Sequence, residues 1–122
     1  MIRDVTDLEV YKEALKLLPE LYKIVNNLPL SERYLELQAK RAAKSVSANI
    51  AEGFAKRSSA KEFRRYLLIA LASNDEVITH LRTLAITFPK AKNEASALQE
   101  KYKVLSKRIN TLHKNWRFGG SL

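Results

Sequence analysis

The chain has 122 residues and a formal net charge of +9, with 22 Lys and Arg against 13 Asp and Glu. That length points to one domain, and a hydrophobic content of 46% excludes wholesale disorder. With three Gly, three Pro and no Cys, the composition favours helices over a turn-rich β fold, removes disulfides and thiolate metal sites, and fits a reducing cytoplasm.

The opening MIRDVTDLEV carries no long apolar run, so no signal peptide is expected. No stretch approaches the ~18 apolar residues of a membrane span, so no membrane partner is expected. A first helix is predicted over about residues 7–28, with Thr6 and Glu9 at capping-box spacing. Two apolar stripes run along it. One is Leu8, Tyr11, Leu15, Leu18, Tyr22 and Val25; the other is Val10, Ala14, Leu17, Leu21, Ile24 and Leu28. Pro19 interrupts both and predicts a kink, because the pattern continues in phase across it.

After the loop NNLPLSER, with Ser31 as the expected cap, a second helix is predicted over about 32–55. Its stripe is Leu35, Ala39, Ala42, Val46, Asn49 and Gly53, small residues that let neighbouring helices approach. Ser59 and Glu62 form a second capping-box pattern for a third helix, about 59–88, ended by Pro89. Its stripe is Phe63, Leu67, Ala70, Asn74, Val77, Leu81, Leu84 and Phe88, with Leu68, Leu71, Ile78 and Ala85 beside it. A fourth, about 91–117, carries Ala91, Ala95, Leu98, Tyr102, Leu105, Ile109, Leu112 and Trp116, with FGGSL as a frayed tail. Sustained three-four spacing in four segments with short connections predicts an all-α, up-down antiparallel four-helix bundle. The first and third helices are apolar over more than one stripe, which points to burial against further subunits in a homo-oligomer.

Charge is unevenly spread. Residues 33–65 hold nine cations against three acids, and residues 101–122 hold six against none, while the other two blocks are slightly acidic. Such blocks are the footprint of a polyanion surface, with nucleic acid the leading partner. Lys40, Arg41 and Lys44 share one turn of the second helix; Lys56, Arg57 and Lys61 gather at the next connection, with Arg64 and Arg65 just beyond; Lys107 and Arg108 lie in the fourth helix beside Lys101, Lys114 and Arg117. These groups neutralise phosphates without reading bases. Trp116 is expected in the core, and Phe118 is a candidate base-stacking residue.

Catalytic patterns are lacking. His80 and His113, the two histidines, show no metal-ligand spacing. Ser73, Asp75 and His80 match a triad only by type, and the adjacent Asp75 and Glu76 diverge on a helix. No glycine-rich phosphate loop occurs. No enzyme and no cofactor are expected.

The segments DLEVYKEAL (Asp7–Leu15), RAAKSVSANIAEGF (Arg41–Phe54) and KEFRRYLLIALAS (Lys61–Ser73) resemble the four-helix bundle protein family first noticed inside intervening sequences of bacterial 23S ribosomal RNA genes. The likeness spans about residues 6–85, and Asn-Ile-Ala-Glu-Gly is its most specific part. The family is also similar to the accessory variability determinants of diversity-generating retroelements, basic ring-forming homo-pentamers that bind nucleic acid and partner a reverse transcriptase. The resemblance implies a four-helix protomer, a homo-oligomer of pentameric type and RNA over DNA. Ser47, Ala72 and Asn74 depart from common family residues, which bears on subunit packing.

Three functions stay open: a non-enzymatic nucleic-acid-binding oligomer, an accessory subunit of a reverse transcriptase, and a structural or protein-interaction bundle. Within SVSANIAEGF, Asn49 and Gly53 are expected to face inward. Ser45 is a candidate partner for Asn49, Gly53 is expected to admit a close neighbour or end the helix, and Glu52 to pair with the basic connection. Asn74 is a candidate for fixing register or oligomer state.

Overall fold

The computed structural model describes residues 2–117. Five α-helices make four antiparallel rods: α1 (Glu9–Lys16) and α2 (Leu18–Val25) form the first, followed by α3 (Arg33–Ala55), α4 (Ala60–Thr87) and α5 (Lys92–Asn115). No strand occurs among the described residues. The up-down order is fixed by side-chain pairs: Glu20 with Lys101, Lys40 with Asn26, Ser45 with Ser73, and Arg64 with the Trp116 carbonyl. The core is continuous, from Leu8 and Val10 through Val46, Ile50, Leu67 and Leu81 to Ile109 and Trp116.

Pro19 breaks the first rod rather than bending it. Proline offers no N–H to the carbonyl one turn earlier and its ring crowds that turn, so α1 stops at Lys16 and α2 restarts at Leu18. Leu17 bridges the break, its N–H on Glu13 O at 3.1 Å and its own carbonyl taking Leu21 N–H at 3.2 Å. Phase survives, and every member of the stripe from Val10 to Leu28 is buried. The neighbouring stripe is only partly covered, with Leu15 41% exposed.

Helix starts differ from the spacing in two places. The capping box belongs to Asp4 and Asp7, around a short turn Val5–Asp7; Thr6 donates to the Asp4 carboxylate instead of capping. The Thr6 hydroxyl and N–H hold the Asp4 carboxyl, and the Arg3 and Asp4 N–H groups hold that of Asp7, below the usual carboxylate range. Ser31 lies inside the turn Leu30–Glu32, and α3 begins at Arg33 without a side-chain cap. Ser59 does cap α4, accepting from Glu62 N–H at 3.2 Å, but the Glu62 carboxylate turns to Arg65. Pro89 ends α4 as expected, starting the turn Pro89–Ala91.

Gly53 does not end α3, which continues to Ala55. A Cβ there would stand 2.5 Å from Tyr66 Cβ and 3.0 Å from Phe63 Cδ1. Both neighbours are anchored near the α4 backbone, so α3 and α4 can meet this closely only with hydrogen at position 53. Gly53→Ala is therefore expected to cost about 1–2 kcal/mol in urea unfolding. Overpacking of about 1–3 kcal/mol outweighs the propensity gain of at most ~1 kcal/mol. A variant as stable as the parent would show that the helices part freely.

Asn49 is half-buried and donates to Ser45 O at 2.8 Å and Ser45 Oγ at 3.0 Å. Ser45 Oγ in turn meets Ser73 Oγ at 2.8 Å, so a polar line crosses from α3 to α4. The pairs Ser45–Ser73 and Gly53–Tyr66 set Asn49 opposite residues 69–70 of α4. Asn74 is fully buried and reaches α5 instead, donating to Tyr102 O and Ser106 Oγ, both at 2.8 Å. The Ser106 hydroxyl in turn donates to Asp75 Oδ1 at 2.8 Å. Sliding α5 along α4 would strand this amide, at about 1–3 kcal/mol per orphaned group, so Asn74 fixes register inside the protomer.

Candidate nucleic-acid interface

The cations singled out by sequence separate into two classes once their partners are seen. Lys40 is a tie between α2 and α3. Its ammonium sits 2.6 Å from Asn26 Oδ1, 2.9 Å from Glu36 and over the Tyr22 ring at 4.8 Å. Arg41 joins α3 to α4 through Glu76, while its Nε reaches Gln38 at 3.0 Å. Lys44, one turn on, is exposed and enters no ion pair among the described residues.

The connection between α3 and α4 is also largely occupied. Arg57 lies over the Phe54 ring at 4.0 Å and donates to Phe54 O at 3.1 Å, capping the end of α3. Arg65 grips Glu62 through two nitrogens and stacks on Tyr66 at 4.6 Å. Lys56 donates to the same Tyr66 hydroxyl at 3.2 Å, which raises its pKa. Arg64 donates to Trp116 O at 3.0 Å and so caps α5 from α4. Of this group Lys61 is exposed and enters no ion pair among the described residues. Glu52 is exposed and likewise forms no ion pair with the basic connection.

Trp116 is fully buried, 4.7 Å from Phe63 in an edge-to-face arrangement, with Phe54 6.0 Å beyond. This aromatic ladder closes the end of the bundle where α3, α4 and α5 meet. Phe118 and the rest of FGGSL lie outside the described residues. His113 sits beside the ladder, and burial, followed by Arg64, Arg117 and Lys114, holds its pKa below 6.5. The unfolded chain therefore takes up a proton that the folded chain resists. Stability is expected to be full above about pH 6.5 and to fall as the pH drops through 6.5 towards the lower folded value. Urea midpoints at about pH 7.5 and 5.5 should show it, and His113→Gln should flatten the difference. An unchanged pH dependence in that variant would rule the assignment out.

The cations of the second class line α5. Lys103, Lys107, Asn110 and Lys114 recur at four and three along one face, over about 17 Å at the helical rise, and Arg117 follows just past the end of α5. No acid follows Glu100 in this segment. Lys107, Lys114 and Arg117 are exposed and enter no ion pair among the described residues, and Lys103 touches Glu100 at 3.3 Å. Arg82 of α4 lines the same α4–α5 groove with Lys103 and Lys107, a groove of about 480 Å³ that also holds Asp75 and Glu100. Arg108, about 100° further round α5, faces the cleft with the N-terminal segment instead. Lys101 is pinned to Glu20 at 2.6 Å. Sequence reasoning missed Lys103 and Arg82. The first was legible as the residue four before Lys107, whereas Arg82 joins the stripe only through the α4–α5 pairing.

The residues of the supposed triad go to separate partners: Ser73 to Ser45, Asp75 to Ser106 and His80 to Glu76. Asp75 and Glu76 point to different helices, α5 and α3.

The model of the 23S rRNA-intervening sequence protein family matches residues 6–111. The chain belongs to that family. The match runs past the segments that carry the sequence resemblance and takes in most of α5. A comparison with curated proteins returned no match. In this family member the most specific segment, Asn49 to Gly53, is thus a helix-packing element between α3 and α4. No helix among the described residues is long and apolar enough to cross a membrane.

Proposed function

We propose that this family member is a non-enzymatic, homo-oligomeric protein that binds nucleic acid, RNA in preference to DNA, through phosphate contacts made by the outer face of α5. The observation that carries the reading is the stripe Lys103, Lys107, Lys114 and Arg117, joined by Arg82. No acid follows Glu100 along it, Asp75 in the same groove is held by the Ser106 hydroxyl, and its length tracks a strand rather than a point. Its cations attract phosphates without selecting bases. Lys44 and Lys61 extend the positive field. Lys40, Arg41, Arg57, Arg64 and Arg65 support the bundle first and the ligand second. The preference for RNA rests on the ribosomal-RNA setting in the family's description.

Self-association is supported by large apolar side chains left in solvent at the end opposite Trp116: Leu30 at 82%, Tyr34 at 76% and Ile86 at 76% exposure. A pentameric ring is the form that the family resemblance favours. The same resemblance alone supports a reverse-transcriptase partner. The structural-bundle reading draws on the tied cations just named, which account for much of the charge in residues 33–65 without a ligand. An RNA shift assay across salt, with light scattering on the same samples, tests the proposal. Salt-dependent binding that weakens when the α5 stripe is neutralised supports it. Absence of any shift at ~50 mM salt, where phosphate contacts are strongest, sinks it.

A further inference from the structure

The fourth seam of the bundle is open. Between the N-terminal segment and α5 lies a groove of about 720 Å³, within the usual range of small-molecule sites between helices. Its floor is aliphatic: Ile2, Leu8, Val10, Val104 and Leu112. Leu8 and Val10 are buried, whereas Val104 is 49% exposed, the one large aliphatic of this groove left substantially in water.

The rim decides what fits. Asp7 is already engaged, accepting from Arg3 N at 2.8 Å and Asp4 N at 3.0 Å. Glu9 is paired with Lys12 at 2.9 Å. Lys107 and Arg108, on the α5 side, enter no ion pair among the described residues. The groove therefore offers an apolar trench with unneutralised positive charge along one edge. We propose that it binds an anionic amphiphile, a straight acyl or alkyl chain in the trench with its carboxylate or phosphate against Arg108 and Lys107.

A second copy of the chain is a poorer occupant. A stable protein interface buries about 800 Å² per partner. Here the apolar floor shares its lining with Asp7, Glu9, Arg108, Thr111 and Asn115. The largest exposed hydrophobics, Leu30, Tyr34 and Ile86, lie at the far end of the bundle. The inference is independent of nucleic-acid binding, although Lys107 and Val104 border both surfaces and Arg108 and Leu112 line this groove alone.

Calorimetric titration with dodecanoate and dodecyl phosphate below their micellar concentrations tests it, with decanoate, dodecanol and dodecylammonium as controls. Saturable one-to-one binding is expected for both anions, so the pair also shows which head group is preferred. Shortening the chain by two methylenes should weaken binding roughly fifteenfold, since each buried methylene is worth about 0.8 kcal/mol. Dodecanol should bind at least about tenfold more weakly, and dodecylammonium more weakly still. Val104→Asn, a change at a half-exposed site that leaves the fold intact, should cost about tenfold, and Arg108→Ala a similar factor. Equal binding of the anion, alcohol and ammonium would overturn the proposal. So would binding that ignores both substitutions, or no binding with Val104→Asn splitting an oligomer in light scattering, which would assign the groove to a second copy. RNA retention by Leu112→Asn, at a residue that lines this groove and not the α4–α5 groove, is expected to be unchanged, so loss of one activity does not mimic loss of the other.

Discussion

Trp116→Ala is expected to remove about 3–5 kcal/mol of folding stability, the range for truncating a buried aromatic. Against a typical total of about 5–15 kcal/mol, that brings the protein close to unfolding. The indole is fully buried and packs edge-on against Phe63 at 4.7 Å, and Phe63 continues to Phe54 at 6.0 Å. Removing it opens a cavity at the end of the bundle, where the Trp116 carbonyl also anchors Arg64 at 3.0 Å. The damage thus spreads from α5 to α4. Trp116→Phe keeps a ring against Phe63 and leaves the carbonyl in place, so it should cost only about 1–2 kcal/mol. Because Trp116 is the sole tryptophan, unfolding is followed by far-ultraviolet circular dichroism in urea. An alanine variant within about 0.5 kcal/mol of the parent would show that the aromatic ladder does not belong to the core.

Trp116 also illustrates what a linear chain discloses. Its place at the end of a three-four stripe was enough to assign it to the core, because helical periodicity reports which face is buried. The same logic located all four rods and the inward face holding Gly53. It located the break near Pro19 too, though not its form. A kinked continuous helix and two short helices share one hydrophobic phase, and only backbone geometry tells them apart. Caps were less legible. Asp4 engages the Thr6 hydroxyl, which therefore caps nothing, while Ser31 falls within a turn that precedes the helix.

The basic residues were least legible. Whether a cation is free depends on residues far away in sequence. Arg41 meets Glu76, 35 positions on, and Arg64 meets the carbonyl of Trp116, 52 positions on. Local charge counting ranked residues 33–65 with residues 101–122, but the first block spends many of its cations on holding helices together. Asn74 follows the same rule. A buried asparagine in a stripe was visible, whereas its bonds to Tyr102 and Ser106 depend on how α5 slides along α4.

That division separates the functional proposal from its alternatives. Changing Lys107, Lys114 and Arg117 to alanine together is expected to weaken RNA binding about hundredfold at ~0.1 M salt. Each contact to a single strand adds about 0.7 to the slope of log affinity against log salt. Three contacts remove a slope of about 2, and the decade of salt between 0.1 and 1 M converts that into two orders of magnitude. Because all three side chains are exposed, stability should stay within about 0.5 kcal/mol of the parent. Changing Lys40 and Arg41 to alanine should behave in the opposite way. It removes the tie to Asn26 and Glu36 and the bridge to Glu76, so stability should fall by about 1–2 kcal/mol, while the salt slope changes less than in the α5 triple variant. Equal losses of affinity in the two variants would mean that the protein responds only to total charge, and the α5 stripe would lose its special status. A larger loss in the Lys40 and Arg41 variant, with its stability intact, would return the ligand to α3 and show those ion pairs to be dispensable.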